Sequence, residues 1–119
     1  MEETYWKDAA ATLIQGLVLY VLQGPAERRN PDEVRRLIAE GDVAGYAEVP
    51  DELKDKVTPF DVFLEKMKRV PEGYRRDQIV NPATSMLMMG ENQRAGVLMT
   101  AREESELVEE IWVRYAGKP

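Results

Sequence analysis

The stretch Tyr5–Gln23, with the sequence YWKDAAATLIQGLVLYVLQ, carries the strongest pattern in the chain. Its apolar side chains recur three and four residues apart for about five turns, which predicts a helix. The half from Leu17 to Leu22 is apolar on all sides, so we expect other elements to enclose it. Lys7, Asp8 and Gln15 interrupt the apolar run, which argues against a membrane span. We therefore predict a central helix around which a small helical domain folds.

The bulk composition is that of one soluble domain. A chain of 119 residues can bury roughly two-thirds of its unfolded surface. Apolar residues make up 44% and charged residues 32%, both ordinary for a globular protein. The net charge of −6 argues against sequence-independent attachment to phosphate or anionic lipid, although a local basic surface is compatible with it.

Two residue types that carry much of protein chemistry do not occur, because the chain has neither cysteine nor histidine. Disulfides, thiolate chemistry and the commonest general base are thereby excluded, and a structural zinc site nearly so. A serine nucleophile would need a lysine or carboxylate as its base. The segment Gly41–Gly45 lacks the following Lys-Ser/Thr of a phosphate-binding P-loop. We expect no catalysis, no cofactor and no metal in this chain.

Local start signals divide the rest of the chain into further helices. A capping residue followed by proline occurs at Asn30, Thr58 and Asn81, and acidic residues follow the first two. Gly90 precedes a long stretch with helical spacing. The predicted helices are Pro31–Glu40, Pro50–Val57, Pro59–Val70, Ala83–Met89 and Glu91–Tyr115, the last with Ala95, Leu98, Ala101, Val108, Ile111, Trp112 and Tyr115 facing inwards. Arg75–Val80 is interpreted as a turn or short helix that precedes the start at Asn81.

The expected fold class is all-α, because no alternating run of strand length occurs. We predict one domain, residues 1–119, built as a compact orthogonal or antiparallel bundle of about five to seven helices around the N-terminal helix. Gly16 and Gly96 lie inside the two longest predicted helices, where each costs up to about 1 kcal/mol relative to alanine. We expect these two helices to approach most closely at the glycines.

The candidate binding residues are basic. One cluster brackets the turn Pro71–Gly73 and can contact phosphates or an acidic partner surface. In so acidic a chain, the alternative of solvated side chains is favoured. A second, weaker cluster is compensated by neighbouring acids. The first cluster is Lys66, Lys68, Arg69, Arg75 and Arg76; the second is Arg28, Arg29, Arg35 and Arg36, near Glu27, Asp32 and Glu33.

An acidic run in the last predicted helix places Glu103, Glu106 and Glu110 on one face. Three carboxylates at this spacing can hold a hard cation weakly. A solvated acidic face is the interpretation that we favour.

Two further residue types can belong either to the core or to a surface. Met86, Met88 and Met89 can form an adaptable binding surface, although core packing is more usual. Trp6 and Trp112 lie near the outer ends of the two long helices, and we expect both to pack against neighbours.

Parts of the chain resemble the all-α domain of TraG/TraD-type coupling proteins, the hexameric ATPases of conjugation and type IV secretion. YWKDAA followed by LIQGLVLY, within Tyr5–Tyr20, is similar to the family's aromatic pair, acid, paired alanines and Leu-x-x-Gly-Leu-x-Leu-Tyr helix. NQRAGVLMTAR, residues Asn92–Arg102, resembles its polar, Arg-Ser-Gly/Ser-Val-Leu-x-Thr-Ala segment. PDEVRRLI, residues Pro31–Ile38, resembles the short helix that follows the first. These segments occur in the family's order.

The resemblance implies a helical lobe inserted in a RecA-like motor domain of a membrane-anchored, hexameric parent protein. The lobe would lie at the cytoplasmic side of the inner membrane and recruit cargo: a relaxase, relaxosome accessory proteins, secreted proteins or single-stranded DNA. Walker motifs do not occur in this sequence, so the ATPase would belong to the rest of the parent. The chain starts directly on its first helix and ends after its last, as expected for an excised lobe, which we expect to be monomeric when isolated.

A different interpretation is a stand-alone helical regulator that binds DNA or another protein. The region Ala83–Ala101 would then serve as a helix-turn-helix. A recognition helix of that kind is usually basic, whereas the region and its end offer only Arg94 and Arg102. The segment Gly41–Val80, which holds the first basic cluster, does not match the coupling-protein family well.

Overall fold

The computed structural model describes residues 2–73 and 75–117 of the chain. In this part the chain forms seven α-helices and two short 3₁₀ helices, without any β-strand. The predicted all-α fold is therefore confirmed. The α-helices are α1 (Glu2–Leu22), α2 (Pro31–Glu40), α3 (Val43–Ala47), α4 (Pro59–Lys68), α5 (Arg76–Met88), α6 (Glu91–Glu103) and α7 (Ser105–Ala116); the 3₁₀ helices are Ala26–Arg28 and Asp51–Lys56.

The middle of α1 forms the centre of the core, as predicted. Leu13, Ile14, Leu17 and Val18 are each at most 1% exposed. α1 packs against α2, α5, α6 and α7, which enclose its apolar half. Burying one such side chain contributes roughly 1.5–3 kcal/mol, so α1 supplies much of the driving force for folding. No helix in the described part of the chain is long and apolar enough to cross a membrane.

The predicted helix starts at Asn30 and Thr58 are confirmed. Asn30 Oδ1 accepts a hydrogen bond from the Glu33 N–H at 2.9 Å. Thr58 Oγ1 accepts one from the Asp61 N–H at 3.1 Å, and Asp61 Oδ2 accepts one from the Thr58 N–H at 3.0 Å. These bonds satisfy backbone donors that a first helical turn leaves free. The buried face of α2 is Val34, Leu37 and Ile38, and that of α4 includes Phe60, Phe63, Leu64 and Met67.

The segment between α2 and α4 is more regular than predicted. Helix α3 starts after Asp42, whose Oδ1 accepts a hydrogen bond from the Gly45 N–H at 3.0 Å. The short helix predicted after Pro50 is the 3₁₀ helix Asp51–Lys56. The Tyr46 hydroxyl donates to the Lys54 carbonyl at 3.0 Å and joins these two elements.

The helix start predicted at Asn81-Pro82 is wrong, because α5 begins at Arg76 and continues through Pro82. Proline has no N–H, so the Gln78 carbonyl loses its partner within the helix. The Gln78 carbonyl and the Pro82 ring both lie against Gly16 of α1, where a Cβ would be 3.3 Å from each. Pro82 is buried in this contact, and packing against α1 compensates for the missing hydrogen bond.

The single helix predicted over Glu91–Tyr115 is two helices, α6 and α7, which separate at Glu104. The dihedral angles of Glu104, φ −97° and ψ 53°, are not helical, and its carboxylate lies 3.8 Å from Lys7 Nζ. The break lets α6 and α7 each contact both α1 and α2. Ala95 is exposed although it was predicted to face inwards, and Val97 is fully buried instead. The other predicted inward residues are buried or half-buried: Leu98, Ala101, Val108, Ile111, Trp112 and Tyr115.

Gly16 and Gly96 both lie at close contacts between helices. They do not share one helix crossing, so that part of the prediction is wrong. Gly96 of α6 faces Trp6 of α1, and a Cβ there would lie 2.9 Å from the indole ring. Gly16 faces α5 and Met67 instead. Trp6 and Trp112 both pack against the core, as predicted.

Gly41 ends α2, and we predict that it does not tolerate a side chain. Its dihedral angles, φ 68° and ψ −153°, belong to a region that glycine occupies almost alone. A Cβ at Gly41 would lie 2.4 Å from the Phe60 nitrogen. Gly41→Ala is expected to lower the free energy of unfolding by about 3 kcal/mol, because backbone strain and a backbone clash add. Urea unfolding followed by circular dichroism measures this change.

Gly73→Ala is the matched control for this substitution. Gly73 is exposed, and nothing lies within 4 Å of its Cβ position. We expect this variant to stay within about 0.5 kcal/mol of the parent chain. Equal stability of the two variants would contradict the role given to Gly41.

Candidate functional site

The described part of the chain contains a groove of about 890 Å³, which we call the α2–α4 groove. It is lined by the end of α1, by α2, the start of α3, α4 and Pro71. Binding sites for small ligands typically measure about 300–1,000 Å³ and combine apolar walls with a few polar groups. The α2–α4 groove has this size, and its lining combines apolar and charged residues.

The floor of the groove is apolar and belongs to the core. Val21, Leu37 and Phe63 line it and are at most 5% exposed. The ring of Tyr20 packs edge-on against Phe63, with 5.0 Å between ring centroids. Val43 at the start of α3 also lines the groove but is 56% exposed. A ligand in the groove would therefore meet apolar surface on both its floor and one wall.

Two ion pairs form most of the charged rim. Lys66 Nζ of α4 lies 2.8 Å from Asp42 Oδ2. Arg36 of α2 donates from two nitrogens to the two carboxylate oxygens of Glu33, at 2.9 and 2.7 Å. The geometry of the second pair is bidentate, which is the strongest arrangement for an arginine and a carboxylate. Arg36 also lies 3.8 Å from Glu40.

The turn at Gly41 brings the two sides of the groove together. Gly41 ends α2, and the next N–H, that of Asp42, donates to the Pro59 carbonyl at 2.9 Å. Pro59 is the first residue of α4, so this bond joins the end of α2 to the start of α4. Asp42 then caps α3 with one carboxylate oxygen and pairs with Lys66 through the other.

Within the described residues, the clear pKa shifts fall on rim residues of this groove. The hydrogen bond from Arg36 lowers the pKa of Glu33, and the same bond raises the pKa of Arg36. Burial raises the pKa of Asp42, but hydrogen bonds from Lys66 and the Gly45 N–H, with the charges of Lys66 and Arg36, bring it below its ordinary value. The pairs therefore favour the charged form of all three groups at neutral pH.

Arg28 is the third cation of the lining. It is exposed and forms no ion pair within 4 Å in residues 2–73 and 75–117, and its charge helps to lower the pKa of Glu33. Its neighbour Arg29 bends back and donates from Nε to the Gly24 carbonyl at 2.7 Å. The groove thus has one cationic side chain that is available to a ligand.

The first predicted basic cluster is divided between different surroundings. Lys66 lines the α2–α4 groove. Arg75 and Arg76 line a separate, smaller cleft of about 320 Å³. Lys68 lies 3.8 Å from Glu65, and Arg69 is exposed at the end of α4. Partner contact by these five residues stays a prediction.

Arg75 and Arg76 each contact other parts of the chain. The Arg75 guanidinium lies 4.9 Å from the centre of the Tyr115 ring, and Nη1 donates to the Gln78 side chain at 3.2 Å. Arg76 Nε donates to the Val70 carbonyl at 2.9 Å. These contacts hold the start of α5 against α7 and against Val70, which follows α4. Substitution of either arginine would therefore also disturb the fold.

The second predicted cluster contributes more to the groove than the first. Its compensation by neighbouring acids is confirmed for Arg35, 3.0 Å from Asp32, and for Arg36. Sequence reasoning missed the groove itself. Asp42 and Lys66 meet through the α2–α4 junction, and no local spacing in the sequence signals that contact. The only local signal was the excess of arginine at Arg28, Arg29, Arg35 and Arg36.

The predicted acidic face is interrupted, since the break at Glu104 puts Glu103 on α6 and Glu106 and Glu110 on α7. Among the residues that the structure describes, no group of three or more histidine, cysteine or acidic side chains can hold a metal ion. The methionines also separate: Met86 is buried, whereas Met88 is 81% exposed.

Comparison of the chain with protein-family models, with curated proteins and with solved structures gives no match. The resemblance to coupling-protein lobes therefore depends on the quoted segments alone.

We predict that the Asp42–Lys66 pair gives the chain a pH-dependent increment of stability. The lowered pKa of Asp42 in the folded state means that this increment is present above the ordinary carboxyl range and is lost as the pH falls through the lowered value. Asp42→Asn keeps a capping side chain but removes the charge. At neutral pH this variant should be less stable than the parent chain by about 1 kcal/mol, and the difference should shrink below about pH 4.

Urea unfolding at a series of pH values measures this difference. Asp55→Asn is the control, because Asp55 is exposed and lies outside the groove. Its effect should be small and should not follow the same pH course. A constant difference between Asp42→Asn and the parent chain at all pH values would rule out the linkage.

Proposed function

We propose that the chain is a non-catalytic recognition domain of a conjugative or type IV secretion coupling protein. It recruits relaxosome proteins or secreted protein cargo by binding a segment of them in the α2–α4 groove. The observation that carries this proposal is the groove itself, with an apolar floor beside a rim of oriented charges. The choice of the coupling-protein family is supported by the resemblance of the segments in α1, α2 and α6.

The charges of the groove support binding rather than catalysis. A general acid or base works best when its pKa lies near the operating pH. The pKa values of Glu33 and Asp42 are lowered, which moves these carboxyls away from that range. Their carboxylates are held by Arg36 and Lys66, as expected for groups that position a ligand rather than transfer protons.

Protein cargo is favoured over direct contact with single-stranded DNA. Binding to a phosphate backbone depends on several available cations in one groove, often with aromatic faces for stacking. In the α2–α4 groove, Lys66 and Arg36 are paired with acids, and the chain as a whole carries a net charge of −6. Lys68, which is half-buried, and Arg69, which is exposed, lie outside this groove.

The stand-alone DNA-binding alternative has less support from the side-chain contacts of α6. Arg94 Nη1 donates to Asp61 at 2.8 Å, and Nη2 donates to the Met89 carbonyl. Arg102 donates to the Ile38 carbonyl at 3.2 Å. Both arginines of the would-be recognition helix are therefore engaged within the domain, and few cations are left for a DNA groove.

In the parent protein, this domain would stand at the cytoplasmic face of the inner membrane, beside the RecA-like motor of each subunit of a hexamer. The isolated domain would be a monomer that binds cargo without nucleotide. This arrangement is proposed on the resemblance to the coupling-protein family, and the groove is the surface through which it would act.

The groove assignment predicts that Val43→Gln weakens cargo binding. Val43 is exposed in the groove, so the substitution removes apolar contact area without emptying the core. Binding of purified relaxosome proteins or secreted cargo should weaken about tenfold, the effect of losing roughly 1.4 kcal/mol of apolar contact. Isothermal titration calorimetry with the purified partners measures it.

Val113→Gln is the matched control, since Val113 is 43% exposed but lies on α7, outside the groove. A double variant, Lys68→Glu with Arg69→Glu, tests DNA contact by the predicted basic cluster. Suppose that the double variant binds a single-stranded oligonucleotide more weakly than the parent chain does, and that Val43→Gln binds cargo as tightly as the parent chain. The basic cluster would then be the binding site, and the groove would be rejected.

A further inference from the structure

The charged side chains that line the α2–α4 groove have a net positive charge, although the chain as a whole is acidic. The lining holds three cations and two acids. Each acid is within 2.8 Å of a lysine or arginine nitrogen, Glu33 with Arg36 and Asp42 with Lys66. Arg28 forms no ion pair within 4 Å among the described residues, although its charge contributes to the lowered pKa of Glu33. A ligand entering the groove thus meets two neutralised pairs and one unpaired guanidinium.

The same groove offers apolar surface to a ligand next to this charge. Tyr20 is half-buried, and Val43 and Ala44 are exposed on the wall that α3 forms. Exposed apolar surface in a concave site commonly accepts an anchoring side chain of a partner. The groove therefore combines an apolar contact surface with a cation, Arg28, that forms no ion pair within 4 Å among the described residues.

We infer that the α2–α4 groove binds an acidic peptide segment that carries bulky apolar side chains. This inference rests on the proposed function and specifies the chemistry of the cargo segment. An apolar side chain of the segment lies against Tyr20 and Val43, and a carboxylate pairs with Arg28. Arginine suits this role because its planar fork can hold both oxygens of a carboxylate.

Charge complementarity decides against two other occupants. A basic segment would be repelled by Arg28 and would find Glu33 and Asp42 already held by cations. A nucleic acid would gain a single unpaired cation in the groove, against the net charge of −6 on the whole chain. The acidic segment alone gains an ion pair without breaking one.

The test uses short, amidated, fluorescently labelled peptides and the full chain, with fluorescence anisotropy as the readout. One peptide alternates glutamate with leucine, a second replaces each glutamate by lysine, and a third replaces each leucine by serine. We expect the first to bind at least about tenfold more tightly than the other two. Arg28→Glu should weaken its binding about tenfold.

Arg114→Glu is the matched control, because Arg114 is an exposed arginine of α7 outside the groove. Stronger binding of the lysine peptide, equal binding of all three, binding of none, or an unchanged affinity in Arg28→Glu would each overturn the inference. If none of the peptides binds, but the full chain self-associates and Arg28→Glu abolishes that self-association, the groove would be assigned to a second copy instead.

Failure of this inference and failure of the proposed function give different results. If cargo proteins bind, Val43→Gln weakens their binding and the acidic peptide does not bind, the groove recognises a cargo segment of a different chemical character. If the acidic peptide binds in an Arg28-dependent way and relaxosome proteins or secreted cargo do not, the groove chemistry stands and the coupling-protein role fails.

Discussion

The apolar middle of α1 is the constraint on which the rest of the structure depends. Leu13, Ile14, Leu17 and Val18 are each at most 1% exposed, and the half from Leu17 to Leu22 is apolar on all sides, so this half of the helix is stable only where neighbours cover it. The helices that cover α1 are α2, α5, α6 and α7. The break between α6 and α7 belongs to the same solution, since it lets each of the two helices contact both α1 and α2. A polar side chain in the middle of α1 would be buried without a partner.

The groove lies where this enclosure ends. The last turns of α1 reach Tyr20 and Val21 at the groove floor, and α2 and α4 cover them from two sides. The glycine turn at Gly41 and the bond from Asp42 N–H to the Pro59 carbonyl set how far apart these two helices stand. Floor and junction are thus parts of one packing arrangement. A site held in this way is preorganised, which lowers the entropic cost of binding.

The parts of the fold that could be predicted from the sequence are those decided by near neighbours. The caps at Asn30 and Thr58 act over three residues, so their signals were sufficient. Pro82 looked like a helix start because its local effect is to break a helix, and only its contact with Gly16 of α1 explains why α5 continues. Likewise, nothing near Glu104 in the sequence predicts a break.

The candidate site shows the same limit. The basic residues were visible in the sequence, but which of them are available to a ligand depends on distant partners. Lys66 pairs with Asp42 and Arg76 donates to the Val70 carbonyl, whereas Arg28 forms no ion pair within 4 Å in the described part of the chain. Composition therefore indicated a charged surface, and only the fold distinguishes the neutralised cations from the available one.

The division of the groove into floor and rim also decides how its specificity can vary. Leu37 and Phe63 serve the groove and the core together, so changing them would lower stability before it altered recognition. Arg28 and Val43 are exposed, and substitutions there carry little cost in stability. Under the proposed recognition function, substitutions at these two positions would change the charge or shape that the groove accepts while α1 and its covering helices stay the same. Selection among cargo segments would then be a property of these exposed residues rather than of the fold.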